Sequence, residues 1–170
     1  LINNAGLAVG LKTIHEGEID DWERMIDTNI KGLLYVSRAV LPLFVRNKKG
    51  HVINIGSIAG KEVYPFGNVY CATKHAVDAL TKAMRTELVK DGVKVTQIAP
   101  GAIETEFSIV RFKGDKEKAD SIYSGYKPLD PKDIADVVYY TTTLPSHVNI
   151  NDLIIMPTAQ ASSTIFDKNI

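Results

Sequence analysis

Strand-like runs separated by long amphipathic helices leave this chain few ways to fold. The runs at 51–57, 93–99 and 152–156 are short and rich in Val and Ile, and the segments between them carry apolar residues every 3.6 positions. Strands joined by helices of this length pair in parallel through right-handed crossovers, which specifies an α/β fold. The first helix runs from Ile19 to about Asn47, with its stripe at Trp22, Met25, Ile26, Leu33, Val36, Val40, Leu41 and Phe44. Asp20 or Asp21 could cap its start, and Pro42 should kink it or end its regular hydrogen bonding early. A second helix, from near Asn68 to about Asp91, is expected to bury Val69, Ala72, Ala76, Leu80, Met84 and Leu88, with Gly92 as its stop. A third opens with Asp130 as N-cap and Pro131 in its first turn, and ends near Leu144.

Composition excludes several classes of function. Lys+Arg and Asp+Glu both total 20, so the net charge is zero, which argues against electrostatic capture by nucleic acid or an anionic membrane. No apolar run approaches the ~18 residues of a membrane span. The single cysteine, Cys71, forbids an intrachain disulfide and suits the reducing cytoplasm. The four histidines are scattered without ligand spacing, so no metal site is expected.

Chemistry concentrates at Tyr70-x-x-x-Lys74. Positions i and i+4 share a helix face, so the Lys74 ammonium should sit beside the Tyr70 hydroxyl. A nearby cation favours the phenolate, making Tyr70 a general acid/base. Thirteen residues upstream, Ser57 ends a strand, where an open α/β sheet presents side chains to a ligand.

These residues, with Asn3-Asn4-Ala5-Gly6, Asn29 in the first helix and Pro100-Gly101 followed by Thr105, resemble the short-chain dehydrogenase/reductase family in order and spacing up to about Thr158. The family's opening strand, Gly-rich turn and helix do not appear, and such a doubly wound domain needs about 230–250 residues. The expectation is a single domain over 1–170, the C-terminal two-thirds of a doubly wound, Rossmann-like parallel-sheet domain, with little or no NADP binding by these 170 residues alone.

The resemblance implies the site. Tyr70 would move the proton, Lys74 would hold Tyr70 toward phenolate and bond the nicotinamide ribose, Ser57 would orient the substrate oxygen, and Asn29 would hold a proton-relaying water. Asn3, Asn4, Ala5 and Gly6 would pack on the cofactor's adenine-ribose side. Pro100, Gly101, Ala102, Ile103 and Thr105 would line the nicotinamide. Longer stretches, including Val110-Arg111-Phe112-Lys113-Gly114-Asp115 and Leu144-Pro145-Ser146-His147-Val148-Asn149-Ile150-Asn151, resemble the bacterial NADP-dependent 3-hydroxy acid dehydrogenases, which act on serine and allo-threonine. This implies NADP, with NAD open, and a short 3-hydroxy acid such as 3-hydroxypropionate as substrate. Residues 104–129 would form a substrate lid, and helices 19–47 and 68–91 would build a homodimer or homotetramer. A substrate carboxylate needs a placed cation, and Arg111, flanked by Val110 and Phe112, is the candidate; a surface arginine packing its stem is the alternative. Other readings are a reductase of another alcohol or ketone, an inactive remnant used only for binding or assembly, and a structural partner that completes its sheet with another chain.

Overall fold

Val52, Val95 and Ile98 lose all contact with solvent because the strands that carry them are covered on both faces. The computed structural model describes residues 1–169. Strands β1 (Ile2–Asn3), β2 (Gly50–Ile55), β3 (Val93–Pro100) and β4 (Asp152–Ile155) form one parallel sheet in that order. The register sets Val52 against Val95 and Asn54 against Gln97.

The first predicted helix is three pieces: α1 (Ile19–Ile26), a π-helical turn at Asp27–Gly32, and α2 (Leu33–Asn47). Glu18, not Asp20 or Asp21, is the N-cap residue; the two aspartates stand in the first turn, where the helix dipole favours them. Pro42 lies inside α2, which continues to Asn47 and closes with Lys48 in the left-handed region. Helix α3 (Asn68–Leu88) tightens into a 3-10 turn at Val89–Asp91 and stops at Gly92. Its buried stripe is Tyr70, Cys71, Thr73, Lys74, Val77, Thr81, Met84 and Leu88, and Ala72 is exposed. Three members of that stripe, Thr73, Lys74 and Thr81, are polar or charged, so apolar periodicity alone misplaces its phase.

After β3 come two short helices, α4 (Phe107–Arg111) and α5 (Lys116–Ser121), and the excursion closes where Ile103 bridges Leu129. Helix α6 (Pro131–Thr143) begins with a capping box between Asp130 and Asp133. Leu33 of α2 and Val77, Met84 and Leu88 of α3 pack with Val52, Val93 and Val95 on one face of the sheet. On the other, Ile134 of α6 packs with Ile53 and Ile98. A buried polar ladder joins the first face to β1: Asn3 donates to Ser37 and Asn54, and Asn54 donates to Thr81. Among the described residues no helix is long and apolar enough to cross a membrane, and no three His, Cys, Asp or Glu side chains group to hold a metal ion.

Candidate active site

In a parallel sheet all strands end on the same edge, which here gathers the loop at Asn3–Gly6, the turn Gly56–Ser57 and the loop Pro100–Ile103. The first turns of α3 supply Tyr70 and Lys74 to that edge. Lys74, only 5% exposed, donates from Nζ to the Ile55 carbonyl at 3.1 Å, and its Nζ lies 5.9 Å from the Tyr70 ring centre. A methyl group added to Gly6 would stand 3.2 Å from that Nζ and 3.4 Å from Asn29 Oδ1. A side chain there would press on both groups, which would have to give by a few tenths of an ångström. Ser57 Oγ accepts from the Ala59 N–H at 3.1 Å, which holds the oxygen while leaving the hydroxyl proton to donate.

Asn29 sits in the π-helical turn and is 2% exposed. Its Oδ1 accepts from the Leu7 N–H at 2.9 Å and its Nδ2 donates to the Leu7 carbonyl at 2.8 Å, so one side chain pairs with the strand-end loop as a second strand would. The same Nδ2 reaches Thr73 Oγ1 at 3.0 Å, and Thr73 donates to the Tyr70 carbonyl at 2.8 Å. Asn29 is thereby tied to both the loop and the Tyr70 turn. Thr73 has no apolar period or motif to mark it in the sequence; only its place between Tyr70 and Lys74 could have pointed to it.

Electrostatics depart from the sequence reading in one respect. The Tyr70 hydroxyl is held above the ordinary tyrosine range, chiefly by burial and next by Tyr64; a hydrogen bond from Ser57 and the Arg111 guanidinium act the other way. Sharing a face with Lys74 does not lower it here: desolvation outweighs the Ser57 hydrogen bond and the Arg111 guanidinium. Burial also brings the Lys74 ammonium down to about 8. A cation with a lowered pKa costs stability while it must stay charged in the folded state. That cost is full below pH about 8 and is relieved as pH rises toward the unfolded value of 10.5, where the unfolded chain binds the extra proton. Lys74→Met is therefore expected to melt above the parent protein at pH 7, with the gap narrowing by pH 10. Thermal denaturation of both proteins at the two pH values measures it, and a gap that does not change with pH would remove this account.

The cofactor candidates divide. Asn4, Ala5 and Gly6 are exposed along the sheet edge, while Asn3 turns inward to the polar ladder. Pro100 is buried at the end of β3. The Ala102 N–H is taken by Gln160 Oε1 at 2.7 Å, and the Ile103 carbonyl accepts from the Tyr123 hydroxyl at 2.8 Å. Thr105 Oγ1 accepts from the Phe107 N–H at 3.2 Å, starting α4. An exposed Gly-containing loop facing a buried, desolvated amine is a fitting bed for the ribose and nicotinamide of a dinucleotide.

Arg111 comes down on Tyr70. Its guanidinium carbon lies 5.6 Å from the Tyr70 ring centre and 5.3 Å from that of Tyr64, within cation–π range, and Phe107 packs on Tyr70 at 5.5 Å. Its backbone is fixed by the Gly10 N–H, which donates to the Arg111 carbonyl at 2.9 Å, and Lys113 pairs with Asp21 at 2.8 Å. Lys116, Lys118 and Lys127 are exposed. Tyr64 belongs to no motif that would mark it in the sequence.

The family model described as short chain dehydrogenase matches residues 1–116. The chain belongs to the short-chain dehydrogenase family. It is 52% identical over 162 residues to the NADP-dependent 3-hydroxy acid dehydrogenase YdfG of Salmonella typhi, covering 95% of this chain and 65% of that one. It is 46% identical over 164 residues to sulfoacetaldehyde reductase 2 of Chromohalobacter salexigens, covering 96% and 65%. The closed form of serine dehydrogenase complexed with NADP+ superposes with a TM-score of 0.94 at 49% identity, covering 98% of this chain and 68% of that one. The chain thus spans about 65% of the length of the curated short-chain dehydrogenases it matches. Tyr70, Lys74, Ser57 and Asn29 all fall inside the part matched by the short-chain dehydrogenase family model.

Proposed function

We propose that this chain is the catalytic part of an NADP-dependent oxidoreductase that acts on the C3 hydroxyl of a short 3-hydroxy acid, serine, allo-threonine and 3-hydroxypropionate being the substrates to try. The observation that carries the reading is the constellation of buried Tyr70 and Lys74 with half-buried Ser57 beside the Gly6 loop. NADP, when bound, takes or gives the hydride. Tyr70 moves the remaining proton to or from the substrate oxygen, and Ser57 donates its free hydroxyl proton to that oxygen. Lys74 and Asn29 hold the ribose side and the Tyr70 turn. Asn4, Ala5, Gly6 and the loop from Pro100 to Thr105 line the cofactor.

Arg111 supplies the acid's counter-ion, and residues 104–129 form one lid that carries it into place. Two relatives are named for a 3-hydroxy acid and for sulfoacetaldehyde, and both compounds bear an anionic group near the reacting carbon. The sulfonate is the second substrate class to try. A homodimer or homotetramer through helices 19–47 and 68–91 fits the exposed Tyr35, Val36 and Leu43 on the first of them, and the buried thiol of Cys71 fits the cytoplasm.

The test is steady-state kinetics on 3-hydroxypropionate, serine and an uncharged short alcohol. Arg111→Ala is expected to lower kcat/KM for the acids by about 10- to 100-fold, the worth of one charge-assisted pair, and to change the uncharged alcohol little. Equal loss on both kinds of substrate would remove Arg111 from recognition. No turnover of any hydroxy acid by the complete protein would remove the substrate class.

A further inference from the structure

We propose that Gln160 is a positioning residue for the loop Pro100–Ile103, and that residues 159–167 clasp this loop to the turn after Ser57 and to the excursion at 104–129. The ladder between β3 and β4 makes its last bond where the Gly101 N–H donates to the Ile155 carbonyl at 2.7 Å. The next amide, Ala102, has passed the end of the sheet and needs an acceptor. Gln160, 6% exposed, provides it: Oε1 accepts from Ala102 at 2.7 Å while Nε2 donates to the Ser162 carbonyl at 3.0 Å. Both ends of the amide are engaged, so the side chain cannot turn without breaking two bonds. Gly101 is shaped to this contact, since a methyl group there would stand 2.3 Å from Gln160 Oε1.

The segment behind Gln160 is itself folded back. Gln160 bridges Phe166 in antiparallel fashion, and the Asp167 N–H donates to the Ala159 carbonyl at 2.8 Å. From this hairpin the Ser163 N–H donates to Glu62 at 2.8 Å, just beyond the 3-10 turn that Ser57 caps. Phe166 packs on Tyr126 of the excursion with ring centres 5.2 Å apart. One hairpin therefore touches the three pieces that must keep a fixed spacing while a hydride is transferred, and small displacements there cost much rate.

The inference rests on the reading of the Pro100–Ile103 loop as the nicotinamide side, but its first readout needs no cofactor. In the complete protein, amide hydrogen exchange at Ala102 is compared for the parent, Gln160→Leu, Gln160→Glu and Glu62→Ala. Gln160→Leu is expected to speed exchange at Ala102 by about tenfold and to weaken NADP binding, measured by isothermal titration, by about the same factor. Gln160→Glu keeps the acceptor oxygen for Ala102 but loses the donor to the Ser162 carbonyl, so it regains part of the protection that Gln160→Leu loses. Glu62→Ala cuts the clasp from outside the loop and speeds exchange at Ala102 by at least about threefold. Unchanged protection in Gln160→Leu, or none regained with Glu, overturns the proposal; so does an unmoved Ala102 in Glu62→Ala. If the parent fails to bind NADP while Gln160→Leu still loses protection, the clasp stands and the cofactor reading falls.

Discussion

Replacing Tyr70 with Phe is expected to lower kcat by about 10²- to 10⁴-fold, the usual worth of a placed proton-transfer group. The variant deletes one oxygen and keeps the ring. The tilted contact with Phe107 at 5.5 Å, the Arg111 guanidinium at 5.6 Å and Lys74 at 5.9 Å all remain available to Phe. Because burial already holds the phenol well above its ordinary range, losing the hydroxyl removes a buried polar group and should leave the melting temperature close to the parent's. NADP affinity should stay nearly intact as well. Lys74→Ala differs, since it strips the ammonium that the Ile55 carbonyl holds beside Gly6, and both affinity and turnover should fall. Single-turnover measurements with saturating cofactor decide the matter: near-normal hydride transfer in Tyr70→Phe would sink the mechanism.

The second large effect is expected at a glycine outside any motif. A methyl group on Gly60 would lie 2.6 Å from the Lys74 carbonyl oxygen and 2.9 Å from its carbonyl carbon. Those are backbone atoms of a long helix and cannot swing aside as a side-chain end can. Gly60→Ala must therefore separate the turn after Ser57 from α3, at a cost on the order of 1–3 kcal/mol, and the separation falls between Ser57 and the Tyr70–Lys74 pair. We expect a lower denaturation midpoint together with a loss of kcat of at least about tenfold. Chemical denaturation and kcat on the same preparation check this, and a variant with both values unchanged would show that the close packing of Gly60 on α3 is not needed.

Much of this architecture can be read from the chain because its strands are apolar on both faces. Val52, Ile53, Val95 and Ile98 declare β2 and β3 without ambiguity, and Asp130-Pro131 marks the start of α6. Where polar groups take over the interior, periodicity misleads. Thr73, Lys74 and Thr81 occupy the buried face of α3, whereas Ala72, which suits an apolar stripe, faces out. The site splits in the same way. Tyr70 and Lys74 lie four apart and can be related by helix geometry alone. That Asn29 would pair with Leu7, Gly60 abut Lys74, or Gln160 hold Ala102 depends on contacts between residues 14 to 58 positions apart, which no local pattern encodes. Tyr70 also shows that adjacency does not fix sign: a cation nearby lowers a phenol only where burial is the smaller effect.

The π-helical turn at Asp27–Gly32 has a consequence for counting. A π turn holds one more residue than the α turn it replaces, so every side chain after it is rotated by about 100° from the phase set before it. The apolar stripe of α1 and that of α2 are thus two stripes, and a single wheel drawn through both would put Val36 on the inside, although it is 46% exposed. Among relatives the extra residue and Asn29 should be gained or lost together. A chain one residue shorter between the positions of Met25 and Leu33 would have a straight helix, a single stripe and no amide turned toward Leu7.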